Sequence, residues 1–157
     1  MYTSAADYPT SCLVGVHSGT TSNEEDFHAS WLAFDTMNRR GIAPLAVALL
    51  VVDPGDHTPG SKWRQKFAQT RKISRPHRIA FINNSAIARG VITAIDWLQP
   101  PTSQQQVKAW ATLEEGIAWL EGERRESLHI LRHLYEAARE AGLPAPAESV
   151  RALKLRA

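Results

Sequence analysis

The chain has 157 residues, 43% of them apolar and 22% charged, which is ordinary for one globular domain with a real core. It carries no apolar run of membrane-spanning length, and its start, MYTSAADYPTS, lacks the basic and apolar regions of a secretory signal. Cys12 is the single cysteine, so no disulfide forms within the chain, and Leu13 and Val14 beside it point to a buried thiol in a reducing cytosol.

The net charge of +2 conceals an asymmetry. From His57 to Ile95 there is no acid, whereas Lys62, Arg64, Lys66, Arg71, Lys72, Arg75, Arg78 and Arg89 supply eight positive charges. Such a block bears on partners and steering more than on fold.

In chain order, residues 1–10 admit a short first strand, and Ser11–His17 (SCLVGVH) reads as a better one. Ser22 followed by Glu25 has the spacing of a capping box, with Glu24, Glu25 and Asp26 at the positive end of the helix dipole. Phe27, Trp31, Phe34 and Met37, with Leu32 beside them, recur at helical spacing, and Gly41 ends the helix. Leu45–Asp53 is an almost unbroken Val/Leu run without alternation, as expected of a strand covered on both faces.

Asp53, Pro54, Gly55, Pro59 and Gly60 then form a loop, and Ser61 is placed to cap a helix running to Ile73. In that helix Trp63, Phe67 and Thr70 face inward and Lys62, Arg64, Lys66 and Arg71 outward. Pro76 closes it, His77–Ile82 is a strand, and a helix over 85–98 carries Ile87, Val91, Ile95 and Leu98 before Pro100 and Pro101. Val107–Ala111 is a short edge strand, and Thr112 with Glu115 makes a second capping box for a helix that Gly122 stops. Glu123–Ala141 reads as one longer helix with Leu128, Leu131, Leu134, Tyr135 and Ala138 on one side. Pro144 and Pro146 stiffen a link to a basic tail over 148–156.

This alternation predicts an α/β domain, a single small, mainly parallel sheet flanked by helices. Its boundaries fall at 1–122 for the sheet domain and 123–157 for a helical extension, packed on the same domain or joining two copies through 123–141. The segment AWATLEEGIAWL resembles the carboxyl-terminal signature of STAS-like proteins of the SpoIIAA-like group, with Gly116 where that pattern usually has Ala. The likeness in element order runs from about Ser11 to Leu120. It implies a regulatory, non-catalytic protein-binding module of the anti-sigma-factor-antagonist type. In that family a phosphorylatable Ser lies after a central strand; by position Ser61 matches, with Thr58 close by as a second candidate phospho-acceptor. The family's Asp-Ser-Ser/Thr-Gly-Leu wording is absent here.

The expected partner-binding residues are therefore Asp53, Asp56, His57, Ser61, Lys62, Arg64 and Lys66, facing a protein partner with an acidic surface. The group also resembles lipid-transfer domains, so the alternative is a carrier of a small apolar ligand under Trp31, Phe34, Trp63, Phe67 and Trp97. Asp53, Asp56 and His57 lack an accompanying nucleophile motif, so no enzyme is expected. His129 and His133 are four apart, without the acidic ligand that a metal centre would need. No cofactor motif is present, and no nucleic-acid module frames the basic region.

Overall fold

In the computed structural model, which describes residues 1–73, 75–86, 89–90 and 104–143, the uninterrupted apolar run becomes β3 (Ala46–Val52), the middle strand of five. Its neighbours are β2 (Cys12–His17) and β4 (His77–Ile82), both parallel to it. β5 (Gln105–Trp110) adds in parallel to β4, and β1 (Tyr2–Asp7) closes the other edge as an antiparallel hairpin with β2. The order is β1-β2-β3-β4-β5. The weak first strand is real because hairpin pairing needs only the tight turn at 8–11, where Ser11 takes a left-handed φ of 53°.

Successive parallel strands that step in one direction put right-handed crossovers on one face. Accordingly α1 (Glu24–Arg40) and α2 (Ser61–Ile73) touch each other there. Leu13, Ala48 and Met37 form the core of that face, with Phe34 and Ile79 at its margin. The opposite face would lie bare without the last two helices. There α3 (Leu113–Arg124) lies on β3, β4 and β5, and α4 (Ile130–Ala141) on β1 and β2. Cys12, Val14, Val16, Val47, Leu49 and Val51 meet Ile117, Leu120, Leu128, Leu131 and Ala138 in the main core. Burial pushes the Cys12 thiol pKa up, as expected of a packing cysteine.

Several boundaries differ from the sequence expectation. The first capping box is Asn23 with Asp26, one residue later than Ser22 with Glu25, because the Ser22 hydroxyl is engaged elsewhere. Leu32 is 47% exposed and does not join the stripe of Phe27 and Met37. Ser61 is the first helical residue and not the cap: the Gly60 carbonyl already accepts from the Trp63 and Arg64 N–H groups. The box of Thr112 and Glu115 stands as expected.

Gly122 does not stop its helix, which runs on to Arg124 and ends with Arg125 left-handed at φ 55°. Hence 123–141 is not one helix. The Glu121 carboxylate accepts from the Leu128 N–H at 2.8 Å and fixes the break, and Leu128 folds back into the core. Gly116, where the resembled pattern carries Ala, lets α3 approach the sheet: a Cβ there would lie 2.4 Å from Ile82 Cδ1. The stripe over 85–98, Trp97 and the tail over 148–156 lie outside the described residues, as do the side chains of Thr70 and Arg71.

Arg124 ties the amino ends of two strands together. Its guanidinium donates to the carbonyls of Thr10 and Leu45 at 2.8 and 2.9 Å and pairs with Glu126. Charge-assisted bonds to half-buried carbonyls exceed neutral ones in strength. Arg124→Met is expected to cost about 2–3 kcal/mol in urea denaturation; a loss below about 0.5 kcal/mol would mean that water replaces both bonds.

Candidate functional site

Carboxyl ends of neighbouring parallel strands bring their loops together, and here β2 and β3 do so. The β2–α1 loop (18–23) and the β3–α2 loop (53–60) lie side by side, joined by a single parallel bridge between Thr21 and Asp56. The Asp56 N–H donates to the Thr20 carbonyl at 2.8 Å, and the Ser22 N–H to the Asp56 carbonyl at 3.1 Å. This contact depends on Gly55, whose φ of 153° suits glycine and whose Cβ would strike the Thr20 carbonyl oxygen at 2.2 Å.

The seven predicted partner-binding residues separate into two groups. Asp53 turns away from solvent onto α4, where Arg139 grips both carboxylate oxygens at 2.7 and 3.0 Å. Those hydrogen bonds from Arg139 hold the Asp53 carboxyl below the usual carboxylate range. His57 also faces inward, its Nδ1 2.7 Å from the Ser22 hydroxyl and its Nε2 buried without a hydrogen-bond partner among the described residues. Asp56 is exposed, and its carboxylate accepts from the Thr58 N–H at 3.2 Å.

Ser61, Lys62 and Arg64 are exposed on the first turns of α2, and Thr58 is exposed just before them. Lys62 stands 3.8 Å from Glu24, with both side chains mostly in solvent, so this pair is worth little. Lys66 lies 4.8 Å from the ring centroids of both Trp31 and Trp63, a cation held between two indoles. Trp63 is 2% exposed and donates its indole N–H to Glu24 at 2.5 Å. Phe34 and Phe67 meet edge to face at 6.5 Å. These aromatics pack on one another and on Lys66.

The basic block is partly consumed inside the molecule. Arg78 pairs with Glu123 at 2.7 Å, Arg75 donates to the Gly41 carbonyl, and Arg89 donates to the Asn83 carbonyl at 2.8 Å. Among the described side chains of the block, the exposed cations are Lys62 and Arg64 at the start of α2. His129 contacts Ser127 and His133 stands near Glu136; among the described residues no group of three or more His, Cys, Asp or Glu could hold a metal ion.

Two residues of this region, His17 and Arg139, had no functional place in the sequence reading. His17, at the carboxyl end of β2, is 4% exposed and packs against Tyr2, Phe27 and His57 at 4.9, 5.7 and 5.9 Å. Its Nδ1 lies 2.9 Å from the Ser22 hydroxyl, which therefore bridges two imidazoles. Burial, reinforced by the His57 ring, lowers the His17 pKa to about 4. Arg139 lies 86 positions from Asp53, beyond any local pattern. A pairing of β2 with β3 would have brought His17 and His57 together on paper.

Asp26 completes the cluster. Burial opposes its charge, but the Asn23 and Tyr2 N–H groups and the amino terminus hold its carboxyl below the usual range. Between pH 6.5 and about 4 the folded chain binds fewer protons at His17 than the unfolded chain does, so stability rises with pH there. Unfolding free energy is expected to fall by up to about 3 kcal/mol as pH drops through that window, before the depressed carboxylates titrate. His17→Phe should remove that part of the pH dependence in urea titrations. An unchanged slope would show that His17 keeps an ordinary affinity for protons.

Comparison with family models, with curated proteins and with solved structures found no match to this chain. Among the described residues no helix is long and apolar enough to cross a membrane.

Proposed function

We propose that this chain is a non-catalytic regulatory module of STAS-like architecture that binds an acidic protein surface through the start of α2, in a cytoplasmic setting. The observation that carries the reading is the exposure of Lys62 and Arg64 at the carboxyl edge of the parallel strands, beside the exposed Ser61. Arg75, Arg78 and Arg89 are engaged internally, whereas Arg64 has no ion pair among the described residues. Open α/β sheets take their ligands at this edge. The arrangement of β5 followed by a helix capped by Thr112 and Glu115 supports the STAS-like comparison, from which Gly116 is a departure.

Asp53 and His57 serve this surface indirectly, by fastening the loop from which α2 starts. Ser61 and Thr58 remain the candidate phospho-acceptors. A phosphate on Ser61 would sit at the positive end of the α2 dipole next to Lys62 and Arg64, and its charge of about −1.5 to −2 would cancel the positive charge offered to an acidic partner. Modification would thus release the partner.

A second reading is a carrier of a small apolar ligand. It rests on an open cleft of about 260 Å³ between α1 and β1, lined by Ala6, Tyr8, Leu13, Leu32 and Ala33 among others. Native and denaturing mass spectrometry of protein purified from its host under phosphatase inhibition separates the two readings. The regulatory reading expects a bound protein, or one phosphate mapping to Ser61 or Thr58. An unmodified chain carrying a small apolar molecule would replace it with the carrier.

A further inference from the structure

The bridge between the two loops contains a hydrogen-bonded chain whose polarity can be worked out. Ser22 has one hydroxyl proton and faces two imidazole Nδ1 atoms, at 2.9 Å for His17 and 2.7 Å for His57. With both rings neutral, one Nδ1 accepts that proton and the other donates its own. His57 Nε2 is buried without a partner, and a stranded N–H is rarer in proteins than a stranded acceptor. The network therefore assigns the proton of His57 to Nδ1, which donates to Ser22, and the Ser22 O–H donates to His17 Nδ1. The chain ends on the lone pair of His17.

A proton arriving at that lone pair turns an acceptor into a donor. Ser22 must then rotate its O–H away from both rings, so that its oxygen accepts from two N–H groups and its own proton loses the acceptor it had. The surroundings offer little to stabilise an imidazolium. From β1 come the Tyr2 ring, at 4.9 Å, and the positive amino terminus; from α1 come Phe27 and Asp26. From the β3–α2 loop come His57, with its ring 5.9 Å away, and Asp53, which Arg139 of α4 already neutralises. Asp26 alone favours the charge, and its carboxylate is occupied by two backbone N–H groups and the amino terminus.

We propose that His17, Ser22 and His57 form a proton-operated latch that holds the 53–60 loop against the 18–23 loop while His17 is neutral and releases it when His17 is protonated. The loop leads directly into Ser61, Lys62 and Arg64, so opening it changes how that surface is presented. This consequence rests on the binding role assigned to α2; the latch itself does not. The latch works in the acid range, because burial holds the His17 pKa at about 4.

Amide hydrogen exchange of the full chain, corrected for intrinsic rates, tests it without any partner. Between pH 7.5 and pH 4 the protection of the Asp56 amide should fall about tenfold or more, and at each pH it should stay below that of Leu49 in β3, which reports global unfolding. In His17→Phe, which keeps an aromatic ring against Tyr2 and Phe27, the fall in Asp56 protection should be several-fold smaller. If that variant does not fold, Ser22→Ala serves: Asp56 protection should be low at every pH. Constant Asp56 protection in the wild type, an undiminished fall in His17→Phe, full protection in Ser22→Ala, or Asp56 protection equal to that of Leu49 at every pH would each overturn the latch. Failure of Lys62 and Arg64 to bind an acidic protein would leave all these outcomes unchanged.

Discussion

Leu131→Ala is expected to destabilise the protein by about 2–5 kcal/mol. Leu131 is 0% exposed and packs in one cluster with Cys12, Val14, Val16 and Leu49, so truncation removes apolar contacts and leaves a cavity under α4. The size of the loss depends on how far β1 and β2 can collapse onto the vacated space. The neighbouring exposed residue His133 provides the control, since His133→Ala should change stability by less than about 0.5 kcal/mol. Urea denaturation at fixed pH reads both. A loss under about 1 kcal/mol at Leu131 would mean that α4 is not part of the core and that its apolar face is free for another partner.

Gly55→Ala is the second large effect, and it has a different origin. The residue sits at φ 153°, where side chains are rarely tolerated, and a Cβ would overlap the Thr20 carbonyl at 2.2 Å. Relief requires the 53–60 loop to lift from the 18–23 loop, which breaks the bridge between Thr21 and Asp56 and draws His57 from Ser22. The expected cost is about 1–3 kcal/mol. The Asp56 amide should lose nearly all protection, whereas Leu49 should lose only the factor that this global cost implies. Retention of full Asp56 protection in this variant would show that the loop contact does not depend on the close approach at Gly55.

The fold was readable where burial leaves a plain trace in composition. The Val/Leu run of β3, the strand His77–Ile82, the helix Ser61–Ile73 and the box of Thr112 and Glu115 all stand where the residue pattern puts them. Errors arose where two local solutions have the same pattern. Ser22 with Glu25 and Asn23 with Asp26 both offer a capping box, and only the two imidazoles around Ser22 decide between them. Gly122 is a stop signal by type, yet it lies exposed within α3, where a glycine costs about 1 kcal/mol and is tolerated.

The site was half readable for a related reason. The cations of α2 announce themselves by the absence of acids around them, and Lys62 and Arg64 do reach solvent. Asp53 and His57 looked equally available in the loop, but their partners come from Arg139 and Ser22, distant in sequence and joined to them only by the sheet order. Lys66 looked like a surface charge and instead stands between Trp31 and Trp63. Its reversal would disturb packing as well as charge, so it is a poor probe of binding.

The central claim, that the start of α2 meets an acidic protein surface, is tested most directly by reversing Lys62 and Arg64 together to Glu and measuring partner capture from the native host. The account predicts at least about a tenfold loss of the captured partner relative to wild type, stronger at low salt than at high salt. Arg132→Glu, an exposed reversal on α4, should capture as the wild type does. Equal capture by the Lys62→Glu/Arg64→Glu variant and the wild type would contradict the claim and move the binding surface elsewhere on the molecule.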